Sequence, residues 1–180
     1  MQASVLMVLP PREAFCADAA GAISIVVRRL AQAMPGSVVL GAPVRGAAFG
    51  DVAFRAAGGT AGGARPSGWR YALGLIRAVA KLRPEAVDVH QQPRLALLLA
   101  LLFPRIRVLL FLHNDPLTMR GLKRRFERRL ALRRLSRVVC VSEYLKDRFM
   151  TGVQGEGAMV LHNPLSLAEL PPPVAEPAIP

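Results

Sequence analysis

The apolar run Leu109-Leu110-Phe111-Leu112 ends in three consecutive polar residues, His113, Asn114 and Asp115, followed by Pro116. The chain has only three histidines, so one placed at the end of a greasy run invites a chemical reading. An imidazole there can take or give a proton near neutral pH, or hydrogen-bond a ligand hydroxyl. Asp115 next to it would favour the charged imidazole and raise its pKa; equally, Asp115-Pro116 suits the start of a turn. Two other apolar runs end in a similar way, in His90-Gln91-Gln92 and in Ser142-Glu143. His90 either lines the same cleft or is a satisfied polar strand end, and Ser142 either faces the cleft or caps the helix that starts at Glu143. Gly21 precedes an amphipathic run, where a missing side chain lets a phosphate approach backbone N–H groups and the helix dipole. Cys16 and Cys140 match no zinc or redox spacing, and there is no His-x-x-x-His. Neither a metal nor a cofactor is expected.

These residues need a scaffold, and the hydrophobic pattern supplies one. Ser4–Leu9, Ser37–Gly41, Asp51–Ala56, Ala86–His90, Arg107–His113, Arg137–Ser142 and Ala158–Pro164 read as strands. Helical spacing occupies Gly21–Met34, Trp69–Arg83, Arg94–Phe103, Met119–Leu135 and Glu143–Met150. Strands alternating with helices, most of the strands continuously apolar, predict a doubly wound, mainly parallel α/β sheet of Rossmann-like type, covered on both faces. In such sheets ligands bind beyond the carboxyl ends of the strands, which is where the polar triplets fall. The glycine-rich stretch 58–68 is a loop that fails the P-loop pattern. From Pro164 there are six prolines in seventeen residues, so residues 1–163 are expected to fold and 164–180 to form an extended linker.

Net charge is +12, and it is concentrated: nine Lys or Arg and one acid, Glu127, lie between Arg120 and Arg137. Leu122, Phe126 and Leu130 give this basic helix a predicted apolar stripe. A local field of that sign attracts anionic lipid, phosphorylated substrates or nucleic acid. Nucleic acid is disfavoured, because no aromatics are interleaved with the arginines. Docking on an anionic membrane through Lys123, Arg124, Arg125, Arg128 and Arg129 is the preferred reading. The apolar stretch 95–112 is broken by Pro104, Arg105 and Arg107 and is too short on either side to span a bilayer. The N-terminus lacks the basic segment of a signal peptide, so a cytoplasmic protein is expected.

In order along the chain, "VLMVLPP…ADAAGAISIVVRRLA", "LLFLHND", "RVVCVSEYLKDRF" and "MVLHNPLSL" resemble the N-terminal half of a GT-B glycosyltransferase of the family 4 type. The resemblance implies a metal-independent transfer of a sugar from a nucleotide-sugar donor to a hydroxyl, with retention. It implies an acceptor-binding N-domain, His113 at the reacting centre with Asp115 beside it, and Gly21 at the donor pyrophosphate. His90, Asn114 and Ser142 would face the acceptor, which is a saccharide or a lipid-linked or lipopolysaccharide-type molecule. Family members of that kind sit on the inner face of the cytoplasmic membrane. Ala20-Gly21 stands where many members have Gly-Gly, and the paired-glutamate donor motif of the second domain does not occur in these 180 residues. Activity would therefore need a C-terminal domain or a separate subunit. A non-catalytic membrane- or polyanion-binding module of the same fold is the alternative.

Overall fold

The computed structural model describes residues 4–58 and 67–165. Most of the expected glycine-rich loop and of the proline-rich linker therefore lies outside the described residues. Seven strands, β1 (Val5–Val8), β2 (Val38–Gly41), β3 (Phe54–Ala56), β4 (Ala86–His90), β5 (Arg107–Leu112), β6 (Arg137–Cys140) and β7 (Ala158–Val160), form one sheet in the order β3-β2-β1-β4-β5-β6-β7. Every pairing is parallel. The fold class expected from the alternating pattern is the one observed. Among the described residues, five α-helices connect the strands: α1 (Ala22–Ala33), α2 (Gly68–Leu82), α3 (Pro93–Leu102), α4 (Arg125–Arg134) and α5 (Glu143–Met150).

The order reverses at β1, with β2 on one side and β4 on the other. Right-handed crossovers moving in opposite directions across a sheet place their helices on opposite faces. The leftward β1–α1–β2 unit puts α1 on one face, where Val27 and Ala31 pack with Met7, Leu9, Phe15 and Val39. The rightward connections put α2 to α5 on the other. There Tyr71, Leu75, Leu99, Ala131 and Phe149 join Leu6, Val87, Leu110 and Val138 in the main core. Both faces carry helices as expected, though unevenly: beside α1, a groove of about 580 Å³ runs over Asp88, Leu109 and Phe111.

The basic helix also departs from its predicted form. It begins at Arg125, not Met119. Leu122 is fully buried in the preceding turn, while Phe126 is 60% and Leu130 41% exposed, so the three form no core-facing stripe. The inward face is Arg128, Ala131 and, just past the helix, Leu135. Arg128 is 2% exposed. Its guanidinium donates to the carbonyls of Leu122 (2.8 Å), Lys123 (2.9 Å) and Thr151 (2.7 Å). It is an internal pin and is not available to a membrane. The lone acid of the segment is also in use: Glu127 accepts from the Arg124 backbone N–H at 2.9 Å, closing the first turn of α4.

Candidate active site

Polar residues converge where β1, β4 and β5 end, at the point where the strand order reverses. The Leu9 carbonyl, just past β1, accepts from the Tyr71 hydroxyl (2.6 Å) and from Gln92 Nε2 (2.9 Å). One carbonyl thereby ties β1 to α2 and to the turn after β4. Gln91 occupies the left-handed region at φ 57°. This conformation costs a non-glycine residue about 1–3 kcal/mol, and three interactions hold it. Its N–H donates to the Phe111 carbonyl (2.8 Å), its Oε1 accepts from the His113 N–H (2.8 Å), and its Nε2 lies 3.3 Å from Met119 Sδ.

His113 thus begins from a located backbone. Its Nε2 is 2.9 Å from Nδ1 of His90. The His90 ring is stacked on Phe111 at 4.6 Å between centroids and meets His113 edge to edge, the two imidazole planes 24° apart. Burial pushes the His113 pKa down to about 4. Burial, and then the charge of His113, lowers that of His90 well below its ordinary value. The expected rise at His113 is not found, because Asp115 is committed elsewhere. One carboxylate oxygen accepts from the Leu117 N–H at 2.9 Å, and the other binds Arg148 at 2.6 and 3.1 Å. The Arg148 pair, and then the Leu117 N–H, hold the Asp115 carboxyl below the usual carboxylate range. Asp115 joins the end of β5 to α5 and caps the turn that starts at Pro116, the second of the two roles its sequence allowed.

His90 is fully buried beneath His113, so it cannot touch an acceptor as expected. Ser142 is the N-cap of α5, its hydroxyl accepting from the Leu145 N–H at 3.3 Å. Asn114 is exposed beside His113. Gly21 is the N-cap of α1, and a Cβ there would collide with the Glu13 carboxylate. That carboxylate accepts from the buried Ser24 hydroxyl at 3.1 Å. Glu13 therefore lies over the helix N-terminus, a place expected to attract a phosphate. Sequence reasoning missed Glu13, although an acid in the loop between a first strand and a glycine-capped helix is a readable signal. It also missed Arg148, whose partner is 33 residues away in sequence.

Between the start of α2, the β4–α3 turn and Met119 opens a cleft of about 570 Å³. Ala72, Leu95 and Leu98 give it apolar walls; Gln91, Arg94 and Arg120 give it polar ones. That combination suits an amphiphilic or saccharide ligand. Among the described residues, no three His, Cys, Asp or Glu side chains are grouped to hold a metal ion. Nor is any described helix long and apolar enough to cross a membrane.

A family model, Glycosyltransferase Family 4, matches residues 23–169. No curated protein matches the chain. Among solved structures, Anabaena Alr3699/HepE in complex with UDP and glucose is similar at TM-score 0.62 and 14% identity, covering 91% of this chain and 45% of that one. HepE in complex with UDP gives TM-score 0.63 at 14% identity, over 92% and 45%. Sucrose-phosphate synthase (tll1590) from Thermosynechococcus elongatus gives TM-score 0.64 at 11% identity, over 88% and 47%. The chain spans less than half the length of these structures.

Proposed function

Because the chain belongs to glycosyltransferase family 4, we propose that it is the acceptor-binding half of an enzyme that moves a hexose from a nucleotide-sugar to a hydroxyl group. The observation that carries this reading is the meeting of three features on one sheet edge: the glycine-capped start of α1, the ring of His113, and the cleft beside Gln91. A donor phosphate would approach Gly21, displacing the Glu13 carboxylate from the helix N-terminus. His113 would contact the reacting sugar or acceptor hydroxyl, with Asn114 exposed beside it. HepE was solved with UDP and glucose, which supports a uridine nucleotide-sugar as the first donor to try.

This edge is one wall. The other would come from a C-terminal domain, in the same polypeptide or in a separate subunit, and the reaction would need no metal. The acceptor would be a saccharide on a lipid or lipopolysaccharide-type carrier, its apolar part lying along Leu95 and Leu98. Arg129, Arg133 and Arg134 flank the exposed Phe126 and Leu130 on α4. With Lys123, Arg124 and Arg125, also exposed, they would hold the protein on the inner face of the cytoplasmic membrane.

The test is transfer of labelled hexose from UDP-hexoses to membrane lipid extract, by the enzyme assembled with its second domain. His113→Ala is expected to lower kcat by about 10²–10³-fold, the usual loss when one hydrogen-bond donor at a reacting centre is removed. Unchanged turnover would remove His113 from the reaction.

A further inference from the structure

His90 and His113 share one hydrogen across 2.9 Å, from Nδ1 of the first to Nε2 of the second. Two neutral imidazoles can arrange that in two ways, with His113 or His90 as the donor. The buried surroundings of His90 separate them. Its other nitrogen, Nε2, is buried and has no partner. Were His113 the donor, His90 would carry its proton on Nε2, as an N–H sealed from water with nothing to accept it. Such orphaned donors are rare in folded proteins. With His90 as the donor, that buried atom holds only a lone pair, the milder defect.

Phe111 stacks on the face of the His90 ring, at 4.6 Å and 22°, and sets its plane, while His113 meets the Nδ1 edge of that ring at 2.9 Å, the two imidazole planes 24° apart. His113 is anchored in turn by its backbone bond to Gln91. We propose that His90 is a positioning residue that fixes His113 as the tautomer protonated on Nδ1. His113 then offers a hydrogen-bond donor from Nδ1, and its Nε2 lone pair is already engaged. It meets an oxygen lone pair of the ligand, on a hydroxyl or a phosphate, and takes no proton from it in the resting state.

This deepens the reading of His113 as a site residue and borrows its functional meaning from it, but the tautomer itself can be read on the free chain. Only His90, His113 and His162 contribute imidazoles, so long-range ¹H–¹⁵N spectra at pH 7.5 contain three ring systems, assigned with His162→Asn and His113→Asn. In the parent, His113 Nδ1 should resonate as protonated and Nε2 as bare. His90→Phe keeps a flat ring in the stack and removes the donor. His113 should then shift toward the Nε2–H form that free histidine prefers. His90→Asn places an amide nitrogen near the lost Nδ1 and should restore the parental pattern, whereas His90→Gln, which reaches toward Nε2, should not. A parental His113 protonated on Nε2 overturns the proposal, as does a His113 pattern unmoved in a folded His90→Phe. Should His90→Phe fail to fold, the parental spectrum and the Asn and Gln variants decide. Hexose transfer by the enzyme assembled with its second domain separates the two readings: an assembled enzyme that moves no hexose weakens the glycosyltransferase reading and leaves the ligand-free tautomer result intact.

Discussion

Asp88 and the two histidines beyond it on the sheet respond to acid in opposite senses. Burial lowers both histidine pKa values, His113 to about 4. The folded chain therefore holds fewer protons than the unfolded one below about pH 6.5. The stability that neutral rings provide is complete above that pH and is lost as pH falls through the folded values. Burial raises Asp88 from 3.8 to about 7, so its contribution is present below 3.8 and lost as pH rises through 7. Two groups oppose one, and net stability should rise between about pH 4.5 and 6.5, by up to about 1.4 kcal/mol per pH unit near pH 5 and flattening toward 6.5. Asp88→Asn removes the opposing group. The thermal midpoint should then climb more steeply over this window and exceed the parent at pH 7.5 by several degrees, about 1–3 kcal/mol. Coincident melting curves for parent and variant at pH 7.5 would contradict the buried, charged Asp88.

At the scale of elements, α4 shows what a charge pattern conceals. Arg128 and Arg129 are neighbours in a run of like residues, yet one bonds three carbonyls and the other is exposed. Arg128→Ala should cost about 2–4 kcal/mol, because it strands acceptors in a closed space; Arg129→Ala should stay within about 0.5 kcal/mol. Thermal melts of the two variants side by side check this, and equal midpoints would refute it. The alternation of elements was legible because it depends on local periodicity. β4 and α5 match their predicted bounds, and β1, β2 and α1 differ by a residue or so at their ends. The start of α4 was not legible: the four-residue spacing of Leu122, Phe126 and Leu130 fits a helix, but tertiary bonds to Arg128 decided which side turned inward. The places of His113 and Gly21 were legible, each at the end of an element. Asp115's tie to Arg148 and His90's burial depend on contacts between distant segments, which no local pattern reports.

At the scale of the molecule, the outward side of α4 and the exposed leucines of α3, Leu98, Leu101 and Leu102, belong to helices that touch. Apolar side chains among arginines suit the boundary between headgroups and acyl chains. The chain should float with vesicles rich in phosphatidylglycerol and much less with phosphatidylcholine alone. Replacing Arg129, Arg133 and Arg134 by Ala should weaken binding by roughly 100-fold, at about 1 kcal/mol each. Equal flotation on both vesicles would remove the membrane reading. The strand order also has a consequence in time. β1, the first of these seven strands to be synthesised, ends up inside the sheet, and its register pairs Val5 with Ala86. A ribosome adding roughly 5–20 residues per second takes about 4–16 s to cover that separation. For those seconds the apolar flank Leu6-Met7-Val8 has no partner on its β4 side. The newborn chain is therefore most exposed to sticking to its neighbours before the strand that carries His90 has been made.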